Sequence, residues 1–156
     1  MQEASFENIC QFLTDGAADF RTVHHEPTFT SEESARARGE ELSLGGKALL
    51  LKTQSDFKLF VLSASLKINS AAVKAHVGVR KTRFATPDEL KELTGLVPGA
   101  VPPFGPPILP FKLYADVSLT RNDRIAFNAG SLTDSIILSM KDYLRLARPE
   151  IFEFGG

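Results

Sequence analysis

Residues 45–52 read GGKALLLK, and residues 96–105 read LVPGAVPPFG. The first stretch predicts an apolar strand with Lys47 at its start. The second is too rich in glycine and proline for a helix or an inner strand, since five of the nine prolines of the chain lie between Pro98 and Pro107. It predicts a stiff loop that holds its remaining backbone N–H groups in fixed directions. The two stretches together indicate a site, although either alone is an ordinary strand end or connector.

The segments around these stretches alternate between helical and strand patterns. Thr30 and Thr86 each begin a capping box, with Glu33 and Glu89 three residues later. Helices are predicted at 6–13, 30–38, 69–77, 86–95 and 140–148, and strands at 20–25, 47–52, 57–64, 79–84, 108–115, 124–128 and 136–139. This order lacks the strict βαβ rhythm of a doubly wound nucleotide-binding fold. The sequence therefore predicts a single α/β domain over residues 1–156, with a mixed β-sheet flanked by helices.

Composition restricts the classes of function. With 156 residues and 43% hydrophobic content, the chain is long enough for one core. A net charge of −1 argues against a protein that holds long stretches of nucleic acid by neutralising phosphates. Cys10 is the only cysteine and the three histidines lack zinc-ligand spacing, so we expect no disulfide, metal or other cofactor. No apolar run approaches the roughly 18 residues of a membrane span and the first residues do not resemble a signal segment, which favours a cytoplasmic protein without membrane contact.

One local stretch is basic. Lys74, His76, Arg80, Lys81 and Arg83 follow one another with no acidic residue between Lys67 and Asp88. Such a run is consistent with a solvated surface. It is also consistent with a small docking patch for an RNA end, which needs only a few phosphate contacts.

The order of short motifs resembles the YbaK/ProX family. The motifs are HEP at 25–27, TSEE at 30–33, the Lys47 strand, TPDEL at 86–90, the GAVPPFG loop at 99–105 and AGS at 129–131. This family comprises free-standing relatives of the editing domain inserted in bacterial prolyl-tRNA synthetases. The resemblance extends from about residue 20 to 146, and the loop is its most specific part.

The resemblance implies a partly barrel-like sheet and a trans-editing aminoacyl-tRNA deacylase that removes a misattached small amino acid, most readily from tRNA for proline. The implied partners are the 3′ end of a mischarged tRNA and, transiently, a synthetase. Lys47 corresponds to the lysine that contributes to deacylation, and Lys52, five residues on, should face the other side of the strand. The implied substrate-binding residues are Gly99, Ala100, Val101, Pro103, Phe104, Gly105, Gly130, Ser131 and Thr30.

Hydrolysis of an aminoacyl ester requires few catalytic groups. An aminoacyl ester is already activated, so hydrolysis needs proximity of a water and donors for the negative charge on the carbonyl oxygen. A lysine and stiff backbone N–H groups supply such donors without a metal. The sequence leaves open alanine, cysteine, serine, threonine and 2-aminobutyrate as the amino acid. It also leaves open two other functions: a non-catalytic RNA- or nucleotide-binding module of the same fold, and a hydrolase of another small ester or amide.

Overall fold

A computed structural model describes residues 4–156. Within these residues the helices are α1 Phe6–Asp15, α2 Ser31–Arg38, α3 Ser70–Val77, α4 Pro87–Thr94 and α5 Met140–Ala147. The strands are β1 Phe20–His24, β2 Gly46–Thr53, β3 Asp56–Ser63, β4 Thr82–Phe84, β5 Leu113–Asp116, β6 Arg124–Asn128, β7 Asp134–Ser139 and β8 Glu150–Phe152. Two short 3₁₀ helices lie at Leu42–Leu44 and Leu119–Arg121. No helix in the described part of the chain is long and apolar enough to cross a membrane.

Side-chain caps start the helices where the sequence places them. The hydroxyl of Thr86 accepts from the Glu89 N–H at 3.1 Å, and the Glu89 carboxylate accepts from the Thr86 N–H at 2.9 Å, which completes a capping box at α4. The α2 cap differs from this pattern. Thr30 accepts from the Glu33 N–H as predicted, but the Glu33 carboxylate accepts from the N–H of Phe29, one residue before the cap. Each cap still satisfies backbone donors that the helix itself leaves open.

The strands form two sheets. One is mixed, with the order β4-β2-β3-β5-β8, in which β3, β5 and β8 run parallel and the other pairs are antiparallel. The other is antiparallel, with the order β1-β7-β6. A bridge between Gly45 and Ala126 joins them at the start of β2. The predicted α/β class is confirmed, with the strands divided between two sheets.

The side chains of β2 and β3 point alternately to the two faces of the sheet, and each face belongs to a different apolar cluster. Leu50, Leu59 and Val61 belong to a large cluster that also receives side chains from α1 and α5. Leu51 and Phe60 point to the opposite face, where they pack with residues such as Phe154. Because successive strand residues face opposite sides, one hairpin supplies both clusters. Cys10 is half-buried against the larger cluster, in agreement with the apolar position that the helical pattern gives it.

Some predicted boundaries are wrong. The β2–β3 connection is a two-residue turn, since Thr53 pairs with Asp56, and not the four residues 53–56 that separate the predicted strands at 47–52 and 57–64. The predicted strand at 108–115 is replaced by β5 Leu113–Asp116, because the N–H groups of Ile108 and Leu109 both donate to the Gly105 carbonyl in a turn. The strand β8 was not predicted. It pairs in parallel with β5, a contact that local sequence does not signal.

Candidate active site

A small cavity lies where α2, the start of β2, the end of β6 and the proline-rich loop meet. Its volume is about 200 Å³. Its wall is formed by Thr28, Phe29, Thr30, Ser31, Ser34, Arg38, Gly45, Gly46, Lys47, Ala48, Leu49, Ala64, Gly99, Val101 and Asn128. Lys47 and the loop therefore border one cavity, as the two sequence stretches together predict. Within residues 4–156 this wall contains two cations and no carboxylate.

Lys47 is half-buried near the start of β2, opposite Leu62 of β3. Burial lowers the pKa of its ammonium group, and the positive charge of Lys67 lowers it further, while the charge of Glu32 acts in the other direction. The ammonium group is thus partly withdrawn from water. Its attraction to a negatively charged oxygen in the cavity is correspondingly stronger than at an exposed site.

Arg38 is the second cation of the wall, and sequence reasoning missed it. Its Nε donates to the Ser135 hydroxyl at 2.9 Å and its Nη2 to the Asn128 amide oxygen at 3.2 Å. Burial lowers its pKa to about 10, although the charge of Glu40 opposes this shift. The Glu40 carboxylate itself bonds Arg21 and Arg124, at 2.8 and 2.9 Å. Arg38 is therefore held by neutral groups, and its charge remains available to a ligand.

Asn128, at the end of β6, connects α2 and the proline-rich loop. Its amide oxygen accepts from Arg38 and from the Ser135 hydroxyl, and its amide nitrogen donates to the Gly99 carbonyl at 2.9 Å. This chain of bonds fixes the loop relative to β6 and α2. Gly99 has a φ of +90°, which favours glycine, and a Cβ there would contact Leu132 at 3.4 Å.

The loop contributes fewer donors to the cavity than its sequence suggests. The N–H groups of Ala100 and Phe104 donate within the loop itself, to the carbonyls of Val97 and Pro102. Gly99 and Val101 are the loop residues that reach the wall. Among the described residues, Ala100 and the Pro103-to-Gly105 segment lie outside this wall.

The remaining loop residues hold the loop against the core. The Pro103 carbonyl accepts from the buried Tyr143 hydroxyl at 2.8 Å. Phe104 is buried, with ring contacts to Phe12, Phe127 and Tyr143. Gly105 fits closely, because a Cβ there would lie 2.8 Å from the Phe111 carbonyl oxygen. This part of the loop motif thus has a supporting position behind the cavity.

Of the other predicted substrate-binding residues, Thr30 borders the cavity, whereas Gly130 and Ser131 do not. Thr30 lines the cavity and caps α2 at the same time. Gly130 donates its N–H to the Ala100 carbonyl at 2.9 Å, and Ser131 bonds the Thr133 hydroxyl at 2.8 Å. Both lie outside the cavity wall as the described residues define it. Gly130 therefore supports the loop from behind and does not border the cavity.

The sequence held weak signals for the residues that were missed. Asn128 directly precedes the AGS motif at 129–131, and Arg38 lies in the last turn of α2, where a basic residue is normally solvent-facing. Phe29 lies just before the α2 cap, at the mouth of the cavity, and is 78% exposed.

In residues 4–156 no group of three or more histidine, cysteine, aspartate or glutamate side chains is arranged to hold a metal ion.

Comparisons with known proteins identify the family to which the chain is similar. The family model "Aminoacyl-tRNA editing domain" matches residues 25–146. The chain is 40% identical to "Multifunctional Ser/Thr-tRNA deacylase ProXp-y" of Escherichia coli strain K12, over 95% of this chain and 91% of that protein. It is 24% identical to "Prolyl-tRNA editing protein ProX" of Acetoanaerobium sticklandii, over 83% and 82% of the two chains.

A solved structure and a synthetase extend the similarity. The structure, described as a candidate trans-editing enzyme for prolyl-tRNA synthetase, superposes with a TM-score of 0.84 at 25% identity, over 100% of this chain and 98% of that one. A proline–tRNA ligase of Shouchella clausii is 29% identical over 64% of this chain and 17% of the ligase. The resemblance seen in the sequence is thereby confirmed, and the chain belongs to the aminoacyl-tRNA editing domain family.

Proposed function

We propose that this protein is a trans-editing aminoacyl-tRNA deacylase that hydrolyses the ester of serine or threonine on a mischarged tRNA. The observation that carries the proposal is the convergence of Lys47, Arg38 and the Gly99 backbone on one small polar cavity. The name of the E. coli relative supports the reaction and the pair of amino acids.

The size and lining of the cavity favour a small hydroxylated side chain. A volume of about 200 Å³ is below the usual range for drug-sized ligands, so the cavity suits an aminoacyl group while the adenosine stays outside. The polar residues Thr28, Ser31, Ser34 and Asn128 line it, and the hydroxyls of Thr28 and Ser34 bond each other at 2.8 Å. A site built to hydrogen-bond a substrate hydroxyl discriminates against analogues that lack it. Serine and threonine are therefore better substrates for this cavity than alanine.

Hydrolysis proceeds by attack of a water molecule on the ester carbonyl. A bond forms between the water oxygen and the carbonyl carbon, negative charge develops on the carbonyl oxygen, and the bond to the ribose oxygen then breaks. One proton of the water goes to the ribose oxygen, and the products are the free amino acid and the uncharged tRNA. Lys47 and Arg38 stabilise the developing charge, and the fixed loop holds the ester for attack.

The mouth of the cavity suits the terminal adenosine. The exposed ring of Phe29 offers a face on which a base can stack. The similarity to a proline–tRNA ligase and to ProX supports tRNA for proline as the substrate, and contact with that synthetase as the route by which it arrives. Action on charged tRNA would place the protein in the cytoplasm.

A panel of mischarged tRNAs tests the proposal. The purified protein is incubated with tRNA for proline charged with serine, threonine, alanine or cysteine, and release of the amino acid is followed. We expect faster hydrolysis of the seryl and threonyl esters, unchanged by a chelator. Binding of these tRNAs without hydrolysis would support the non-catalytic module instead, and hydrolysis of unrelated small esters alone would support a different hydrolase.

A further inference from the structure

A second groove continues from the cavity along the same face of β2. Lys47 and Leu49 belong to the walls of both, and the groove has a volume of about 610 Å³. Leu51 follows on the same face, because alternate strand residues point to one side, and Phe84 of β4 pairs with Leu51. At about 3.3 Å per residue, the groove extends roughly 13 Å from Lys47 to this pair.

The groove combines positive charge with an apolar floor. Lys67 is exposed at its wall, and no ion pair of its ammonium group is found in residues 4–156. Lys67 is close enough to Lys47 for its charge to act on that group. Phe84 is 56% exposed, and the wall contains no carboxylate from the part of the chain that the structure describes.

The basic stretch at 74–83 contributes less than its sequence suggests. Arg83 is the only one of its cations in the groove wall, and its guanidinium is bonded to both oxygens of Glu89, at 2.7 and 2.9 Å. His76 is bonded to Glu150. In the described residues, the cations of the groove that are not ion-paired are therefore Lys47 and Lys67, which lie outside that stretch.

We propose that this groove binds the single-stranded nucleotides that precede the terminal adenosine of the tRNA, with a phosphate at Lys67 and a base stacked on Phe84. The proposal rests on the proposed function, since the cavity at the end of the groove would hold the aminoacyl ester. Sites that bind single-stranded nucleic acid usually combine cations along the phosphate backbone with aromatic rings on which any base can stack. Because the groove meets the cavity at Lys47, the RNA runs along the groove with its 3′ end at this lysine.

The test measures binding of RNA to the full chain. An RNA hairpin with an unpaired CCA 3′ end and the same hairpin without this end are titrated with the protein by fluorescence anisotropy at several salt concentrations. We expect tighter binding of the first. Lys67→Ala should weaken it about five- to ten-fold and reduce the salt slope by about 0.7, the value for one phosphate contact on a single strand. Phe84→Ala should weaken it by a similar factor with the slope unchanged.

Controls separate this proposal from others. Lys81→Ala removes an exposed cation of the basic stretch outside the groove and should bind as wild type. Lys67→Ala should lower hydrolysis of the seryl-tRNA at subsaturating concentration by more than hydrolysis of seryl-adenosine, which has no phosphodiester for Lys67 to contact. If both groove variants bind the hairpin as wild type, or if Lys67→Ala lowers hydrolysis of seryl-adenosine as much as that of the seryl-tRNA, the groove proposal fails. If the groove variants lose binding but wild type hydrolyses no mischarged tRNA, the groove stands and the proposed function fails.

Discussion

Lys47 and Lys52 lie on one strand but have different surroundings. Lys47 lines the cavity, whereas the Lys52 ammonium lies on the opposite face, 5.9 Å from the centre of the Phe57 ring. We predict that Lys47→Ala lowers kcat/KM for deacylation by about ten-fold or more, about 1.4 kcal/mol of barrier. Lys52→Ala should change it much less. Both variants are assayed on the same mischarged tRNA, and equal losses would show that the cavity is not the reaction site.

Arg38 can be tested against Arg36, an exposed cation of the same helix. Arg38→Met keeps most of the stem and removes the charge, so we expect at least a ten-fold loss of kcat/KM, as is usual when one donor to a developing oxyanion is removed. Arg36→Met should leave activity unchanged. The melting temperature of each variant is measured on the same sample. If Arg38→Met loses stability but retains activity, Arg38 only holds Asn128 and Ser135 in place.

Lys47 and Arg38 show which residues of the site can be predicted from the sequence and which cannot. Lys47 was identifiable because the strand and the loop motif accompany it. Arg38 was not, because its burial depends on Asn128 and Ser135, which lie about a hundred residues away along the chain. A local helical pattern reports only that a basic residue occurs in a last turn. The contact that makes it part of a site arises from long-range strand pairing.

At the scale of elements, two helices offer a matched pair of caps. Thr30 and Thr86 each accept the N–H of the residue three positions on, at 3.1 Å, but only Thr30 borders the cavity. We predict that Thr30→Ala and Thr86→Ala each lower the free energy of unfolding by about 1 kcal/mol, the usual value of such a cap. Only Thr30→Ala should also lower deacylation. Equal activity in the two variants would assign Thr30 to capping alone.

Elements with local signals were predictable and those with distant partners were not. The capped helices and the β2–β3 hairpin follow from turn residues and periodicity near each boundary. The division of the strands into two sheets and the parallel β8 depend on pairings between remote segments. The loop illustrates both cases. Its stiffness follows from its prolines, but the use of the Ala100 N–H inside the loop could be seen only in the folded chain.

At the scale of the whole molecule, one buried carboxylate ties the last residues to the mixed sheet. Asp116 of β5 is 1% exposed and accepts from the N–H groups of Phe154 and Gly155, at 2.6 and 2.7 Å, and from Ser118. Burial raises the pKa of this carboxyl, but the hydrogen bonds outweigh burial and lower it below its ordinary value of 3.8. The folded state therefore favours the ionised form.

This shift predicts a pH dependence of stability. A lowered pKa stabilises the fold above the ordinary value, and the stabilisation is lost as the pH falls through the folded-state pKa. Asp116→Asn should cost about 2 kcal/mol at neutral pH, since the acceptor loses its charge and the amide nitrogen that replaces one carboxylate oxygen cannot accept a hydrogen bond. The difference from wild type should shrink below pH 3.8. Urea unfolding from pH 7 to pH 3 measures it, and a difference independent of pH would contradict this account.

The last residues also determine how the protein can be attached to a surface. The backbones of Lys67 and Gly156 exchange hydrogen bonds, at 2.9 and 3.2 Å, so Gly156 lies beside a residue of the groove wall. A purification tag or a sensor surface joined after Gly156 would therefore begin next to the path assigned to the RNA and would compete with it for space. Attachment through an exposed position outside both walls, such as Glu7 on α1, leaves the groove and the cavity open to a long ligand.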